Sequence, residues 1–415
     1  MTVSNDGAAV SADSDDFVEA VHAPGLAKSS DGFGTGERKK KFFAWHHPVK
    51  QIVRQKQWSD LTYELIEKDR TIDQRSTLRY FTLPGSDLLD VRVLAESLTV
   101  FNTKIEYFGF NAGNDTGAAL VSGASVTAES ALRQAGLISD GSIVLRDRLE
   151  DIALAGSQAQ SQLSQQAPFD VINIDGCDHL GFKPKKRDRS TFDALEQLLG
   201  HQLAHRKPWL LFITTRADPG ILGPHFTKMQ SAINENLAHH EAEFGPALAT
   251  SLGVGLVDIV PEINKAWAGW SENFLKIYSV GLGKYLLHYF HAQRPVAADV
   301  ELKSVYAYRV KDSRPDMLSF AFRVVPKAIQ PQKASIGGAQ VQDLTEAKSG
   351  VRIANRASKL WLLDDALAGQ EVLREGAVKA SARLLAAANY DLDSWMTWLR
   401  DHEVRPMTIT SDQLL

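Results

Sequence analysis

Residues 169–180 read FDVINIDGCDHL. Val171, Ile172 and Ile174 form a short apolar, β-branched run that stops at Asp175, Gly176, Cys177, Asp178 and His179. A run of that length before a polar turn is the pattern of a buried parallel strand ending at a loop. In open parallel α/β sheets, ligands bind at those C-terminal strand ends. Asp175, Asp178 and His179 are therefore the first candidates for chemistry. Two carboxylates and an imidazole can act as a base or hold a divalent ion. The ordinary alternative is loop chemistry, since Asp and Gly commonly make turns and cap the next helix.

The flanks extend the pattern in both directions. Upstream, residues 78–83 (LRYFTL) read as a strand, followed by Pro84, Gly85 and a helix over 87–98. Residues 105–110 form a second strand ending at Asn111, with a helix over 118–135. A third strand at 142–145 precedes a helix over 148–165. Downstream, a helix at 190–205 leads to a fifth strand at 209–214. Strands alternating with helices of this length imply a parallel sheet with right-handed crossovers. The pattern then changes to a largely helical stretch, 224–295, whose Trp267, Trp270, Tyr278, Tyr285 and Tyr289 read as core. Residues 304–310 (SVYAYRV) and 318–325 (LSFAFRVV) alternate strongly around a polar, proline-containing break, which is a hairpin signature.

Five βα units closed by an antiparallel hairpin resemble the class I S-adenosylmethionine-dependent methyltransferases over about residues 75–325. The IDGCDHL turn (174–180) is similar to the Ile-Asp-Gly-Asp-His turn of one branch, with Cys177 inserted. The resemblance implies an α/β, doubly wound, mainly parallel sheet with a C-terminal hairpin and helical extensions. It implies S-adenosylmethionine as cofactor and methyl transfer to an acceptor. It also implies roles residue by residue. The glycine-rich turn after the first strand corresponds to TLPGSD, with Thr82, Gly85 and Asp87. Asn111 stands where relatives usually carry a ribose-binding acid; an amide can accept such a bond but carries no charge. Asp147 matches the acid that contacts adenine. Asp175 falls where many relatives hold a catalytic or metal-binding acid.

Composition sets the outer limits. The chain has 415 residues, 44% hydrophobic and 23% charged, with a net charge of −4. That is an ordinary globular composition, and any nucleic-acid surface has to be local. A single cysteine excludes an intramolecular disulfide framework and a multi-cysteine zinc site, and fits a reducing cytoplasm. No apolar run reaches membrane-spanning length, and the N-terminus lacks signal-peptide order, so a soluble cytoplasmic protein is expected. Residues 1–37 read as a disordered acidic tail. Residues 38–74 read as a basic, aromatic helical extension, 326–355 as a linker and 356–415 as a small helical element.

Two basic runs bear on partners. Residues 38–58 (RKKKFFAWHHPVKQIVRQKQW) interleave cations with aromatics, a mixture that can bind phosphates and stack bases. The ordinary reading is a charge run leading into a helix that packs its aromatics on the core. Residues 183–189 (KPKKRDR) place Lys183, Lys185, Lys186 and Arg187 directly after the IDGCDHL turn, which suggests an anionic substrate or partner such as nucleic acid. A different class of function is a methyltransferase-fold protein that has lost catalysis and serves as a binding subunit of a larger complex. The single glycine of the first turn and Asn111 favour it. A nicotinamide-dependent oxidoreductase is disfavoured by the absence of GxGxxG and of a second-strand acid.

Overall fold

The computed structural model describes residues 40–68, 77–112, 122–176, 178–185, 187–221, 223–311, 313–327 and 346–402. The expected acidic tail, most of the expected linker, Cys177 and Lys186 lie outside them.

Among the described residues, eight strands form one sheet: β1 (Thr77–Thr82), β2 (Lys104–Phe110), β3 (Ile143–Leu145), β4 (Val171–Asp175), β5 (Trp209–Arg216), β6 (Ala298–Tyr308), β7 (Met317–Pro326) and β8 (Trp361–Leu362). Their spatial order is β3-β2-β1-β4-β5-β7-β6-β8. β1 to β5 run parallel, while β7 inserts antiparallel between β5 and β6. The FDVINIDGCDHL run is thus a central strand, flanked on both sides. Val171, Ile172, Asn173 and Ile174 are all buried, as a strand covered by helices on both faces requires. The order reverses beside β1, so β1 and β4 diverge into crossovers on opposite sides, the position at which open α/β sheets bind ligands.

The helices follow local signals. Along the chain, α1 (Pro48–Ile52) continues through a π-helical stretch, Val53–Ser59, into α2 (Asp60–Lys68). Then come α3 (Leu89–Leu98), α4 (Ser122–Gln134), α5 (Gln158–Ser164) and α6 (Thr191–Gln202). Ser190 and Asp193 cap α6 reciprocally, with Asp193 N–H donating to Ser190 Oγ and Ser190 N–H to Asp193 Oδ2. The single helix expected over 148–165 is instead a 3-10 turn, Leu149–Ala153, and α5. Gly156 between them takes φ +78°, which ends any continuous helix. The helical stretch after β5 comprises α7 (Pro224–Leu252), α8 (Ile259–Ala268) and α9 (Glu272–His291). Its Trp267, Tyr278 and Tyr285 are buried, as the core reading required. No single helix among the described residues is long and apolar enough to cross a membrane.

The C-terminal part departs most from expectation. Residues 346–355, read as linker, belong to α10 (Glu346–Ala357). Its small residues gave little apolar signal because they serve close approach. A Cβ on Gly350 would stand 2.8 Å from Asn236 Nδ2 of α7. Lys284 of α9, fully buried, is held by Asn236 Oδ1 at 3.0 Å and by Glu346 of α10. After α10, β8 joins the sheet beside β6, and α11 (Leu363–Gly369), α12 (Glu371–Ala387) and α13 (Leu392–Asp401) follow. Val378, Leu385 and Trp395 of these helices pack against Leu89 and Val93 of α3.

The segment carrying the first basic run is part of the sandwich. Val49, Ile52, Val53 and Trp58 join Tyr80, Val91, Val171 and Phe212 in the core on one face of the sheet. Lys50 and Arg54 are 4% and 5% exposed, so these two cations face the protein and are withheld from any external phosphate.

Candidate functional site

The C-terminal ends of β1 to β5 form a crest onto which the sequence candidates project. Thr82 ends β1, fully buried, and donates its hydroxyl to Asp90 Oδ2 of α3 at 2.6 Å. The chain then turns through Pro84, Gly85 and Ser86. Gly85 and Ser86 are exposed, and a Cβ built on Gly85 meets nothing within 4 Å. The tight contact is one strand away: a Cβ on Gly109 of β2 would stand 2.8 Å from Pro84 Cδ and from Thr82 O. Gly109 is therefore the glycine the turn needs for packing, while a side chain at Gly85 would meet no neighbour.

Asn111 follows β2 and is half-buried. Its amide donates to Pro84 O at 3.0 Å, and its N–H donates to Leu145 O of β3 at 2.9 Å. It thereby ties the ends of the first three strands together. Asp147, two residues past β3, is half-buried on the same crest.

Two candidate acids are engaged by lysines of the N-terminal segment. Asp87 accepts from Lys40 Nζ through Oδ1 and from the Tyr390 hydroxyl through Oδ2 at 2.7 Å. Asp175 accepts from Lys50 Nζ through Oδ1. The Lys50 ammonium also lies 4.7 Å from the Trp58 ring centroid and 3.4 Å from the Tyr308 hydroxyl. Such a cage favours a desolvated cation through the ring quadrupole.

Asp178 and His179 sit together beside the end of β5. Asp178 Oδ1 accepts the His179 N–H at 2.8 Å and lies 3.8 Å from His179 Nε2. The Asp178 carbonyl accepts from Arg216 N–H at 3.1 Å. Burial lowers the His179 pKa, Asp178 opposes that shift and Arg216 adds to it. The adjacent His225 lies against Gly181 and Gly223, with its ring centroid 6.3 Å from that of His179. Burial, followed by the His179 charge, pushes its pKa down to about 4. Asp175 turns toward Lys50 instead of joining this pair. Among the described residues no three His, Cys, Asp or Glu side chains gather as a metal site.

Lys183, Lys185 and Arg187 are exposed on the loop beyond the turn. Arg187 Nε lies 3.4 Å from Asp151 Oδ1, so part of that positive charge is already balanced.

A buried polar seam beneath the N-terminal helix was not anticipated. Lys50, Arg54 and Gln57 share the inward face of that helix. Asn173 Nδ2 donates to the Tyr80 hydroxyl at 2.8 Å, and Tyr80 donates to Asp90 at 3.0 Å. Gln57 bonds Ser304 Oγ at 2.9 Å and accepts from Ser319 Oγ at 2.6 Å; Ser319 Oγ in turn lies 3.1 Å from Thr214 Oγ1. Burial raises the Asp90 pKa and lowers that of Arg54. Arg54 Nε and Asn173 Oδ1 are buried without hydrogen-bond partners, an uncommon condition in a folded protein. The available signal was alternation inside the strands. Asn173 and Asp175 interrupt the apolar pattern two apart, and period two puts them on one face.

The strand order defines an α/β protein with a mainly parallel sheet and an antiparallel β5-β7-β6 segment, resembling the class I methyltransferase fold. The chain belongs to the PP_RS20740-like family, whose model matches residues 39–400. Among solved structures it is similar to lmo1582 of Listeria monocytogenes, a protein assigned, without established activity, to the class I S-adenosylmethionine-dependent methyltransferases. That similarity is distant, with 10% identity and a TM-score of 0.31. It covers 66% of this chain and 62% of the other. No curated protein matches the chain.

Proposed function

We propose that this protein binds S-adenosylmethionine across the ends of β1, β2 and β3 and transfers its methyl group to an acceptor. The acceptor approaches over Asp175 and the loop at 183–189, with nucleic acid as the candidate class. The observation that carries this reading is the crest itself. A Cβ on Gly85 would meet nothing within 4 Å, and Asn111, bonded to Pro84 O of the same turn and to Leu145 O of β3, stands beside it, with Asp147 two residues past β3. These residues fit an adenosyl ligand: Gly85 lets the backbone be approached, Asn111 offers an amide and Asp147 a carboxylate for donors on the ribose and base.

When bound, the cofactor supplies a methyl group on a positively charged sulfur. The chain's task is then alignment and, for a protic acceptor, proton removal. His179 suits the second role. Its lowered pKa keeps the imidazole neutral at pH 7, and Asp178 beside it compensates the charge gained on protonation. Lys183 and Lys185 supply positive charge on the approach, without base specificity.

A specific observation favours a second reading, a catalytically silent binding subunit. Asp87 and Asp175 are already neutralised from within the chain, by Lys40 with Tyr390 and by Lys50. Calorimetric titration with S-adenosylmethionine and its demethylated product separates the two. Micromolar binding that is lost in Asp147→Ala supports the enzyme reading. No heat from either ligand at high concentration in folded protein overturns it in favour of the binding role.

A further inference from the structure

Asp87 is where three distant parts of the chain meet. Lys40 Nζ donates both to its carboxylate and to Ala388 O, at 2.6 Å for the carbonyl. The ammonium also lies 4.7 Å from the Tyr390 ring centroid. Tyr390 takes the second carboxylate oxygen, so the turn after β1 is held from both sides. The surrounding contacts extend the grip. Phe42 packs against Tyr390 and Trp398, with ring centroids 5.6 and 6.1 Å away, and Trp395 Nε1 donates to His46 O at 3.2 Å.

Residues 40–46 thus run between the crest and the C-terminal helices. They differ from the segment that follows. Val49, Ile52 and Val53 are embedded in the sheet-face core; within residues 40–46 His46 is buried against Tyr390, while Phe42, Phe43, Ala44 and Trp45 are half-buried. Lys50 is therefore a fixed member of the site, and Lys40 is held mainly by the contacts it makes.

We propose that residues 40–46 and Tyr390 form a latch on the turn after β1, which withholds the Asp87 carboxylate from a ligand settling over Gly85 until it is released. The latch regulates the site assigned above and so rests on that reading. In the latched state, ligand affinity is reduced by the fraction of molecules in which the turn is free. Because Tyr390, between α12 and α13, supplies half of the latch, anything that displaces these helices also frees Asp87.

The test uses the full chain with Lys40→Met and Tyr390→Phe, each of which keeps the packing while removing one bond to Asp87. Amide hydrogen exchange over residues 85–92 is read with no ligand, and S-adenosylhomocysteine affinity is read by calorimetry. The latch predicts at least tenfold faster exchange in either variant and at least fivefold tighter binding. Unchanged exchange overturns it. So does weaker binding, which would make Lys40 and Tyr390 holders of the ligand. If S-adenosylhomocysteine binds neither parent nor variants, the functional reading falls while the exchange data still decide the latch.

Discussion

Replacing Lys50 by Met probes the link between the N-terminal helix and the crest. The substitution keeps an unbranched stem against Trp58 and removes only the ammonium bonded to Asp175. Breaking a fully buried ion pair by removing one partner costs roughly 3–5 kcal/mol, because the other charge is left uncompensated. Here the Lys50 side chain is 5% exposed but that of Asp175 is 24% exposed, so water recovers part of the loss. A destabilisation of about 2 kcal/mol follows from scaling that range for partial solvation. Urea unfolding of Lys50→Met, Asp175→Asn and the double variant measures it. The double variant should be less destabilised than the sum of the singles by about 1 kcal/mol or more, the sign of direct coupling. Additive effects, or a Lys50→Met protein within about 0.5 kcal/mol of the parent, would refute the claim that this pair holds the helix to the site.

Other perturbations probe separate parts of the molecule. Gly109→Ala forces a Cβ to 2.8 Å from Thr82 O and Pro84 Cδ, and should destabilise by about 1–3 kcal/mol in thermal or urea unfolding; a neutral effect would mean the turn is looser than described. Burial holds His46 down to about 3 and His47 and His225 down to about 4. An unfolded chain protonates these imidazoles from about pH 6.5, so their contribution is full above 6.5 and is lost as pH falls toward 4. His225→Gln should flatten the dependence of the urea midpoint on pH across that window; an unaltered slope contradicts the burial argument. Neutralising Lys185, Lys186 and Arg187 together should weaken binding to DNA or RNA and reduce its salt dependence. Binding equal to the parent's removes that loop from the interface.

The sheet was legible because its strands are apolar runs with clear polar ends. FDVINIDGCDHL announces β4, and SVYAYRV with LSFAFRVV announces the hairpin, although β6 begins earlier, at Ala298. Signals failed where packing depends on small residues or on distant partners. In α10, Ala347, Ser349 and Gly350 read as linker because their value lies in close approach to α7 and α9, which no local pattern encodes. β8 has only two residues, Trp361 and Leu362, and exists because β6 offers an open edge. The same limit applies to the site. Asp87 and Asp175 could be nominated from strand ends, but Lys40, Lys50 and Tyr390 could not be assigned to them, since the pairings span 47, 125 and 303 residues. Within residues 38–58, the charge pattern alone did not reveal that Lys50 and Arg54 turn inward.

The adenosyl ligand proposed above would occupy the crest between the turn after β1 and the ends of β2 and β3. An experimental structure of the full chain with S-adenosylhomocysteine tests that placement most directly. The ligand is expected against Gly85, with its adenosine between Asn111 and Asp147 and the Lys40–Asp87 contact broken. A ligand bound elsewhere, or a crest that stays latched and empty at saturating ligand, would contradict it.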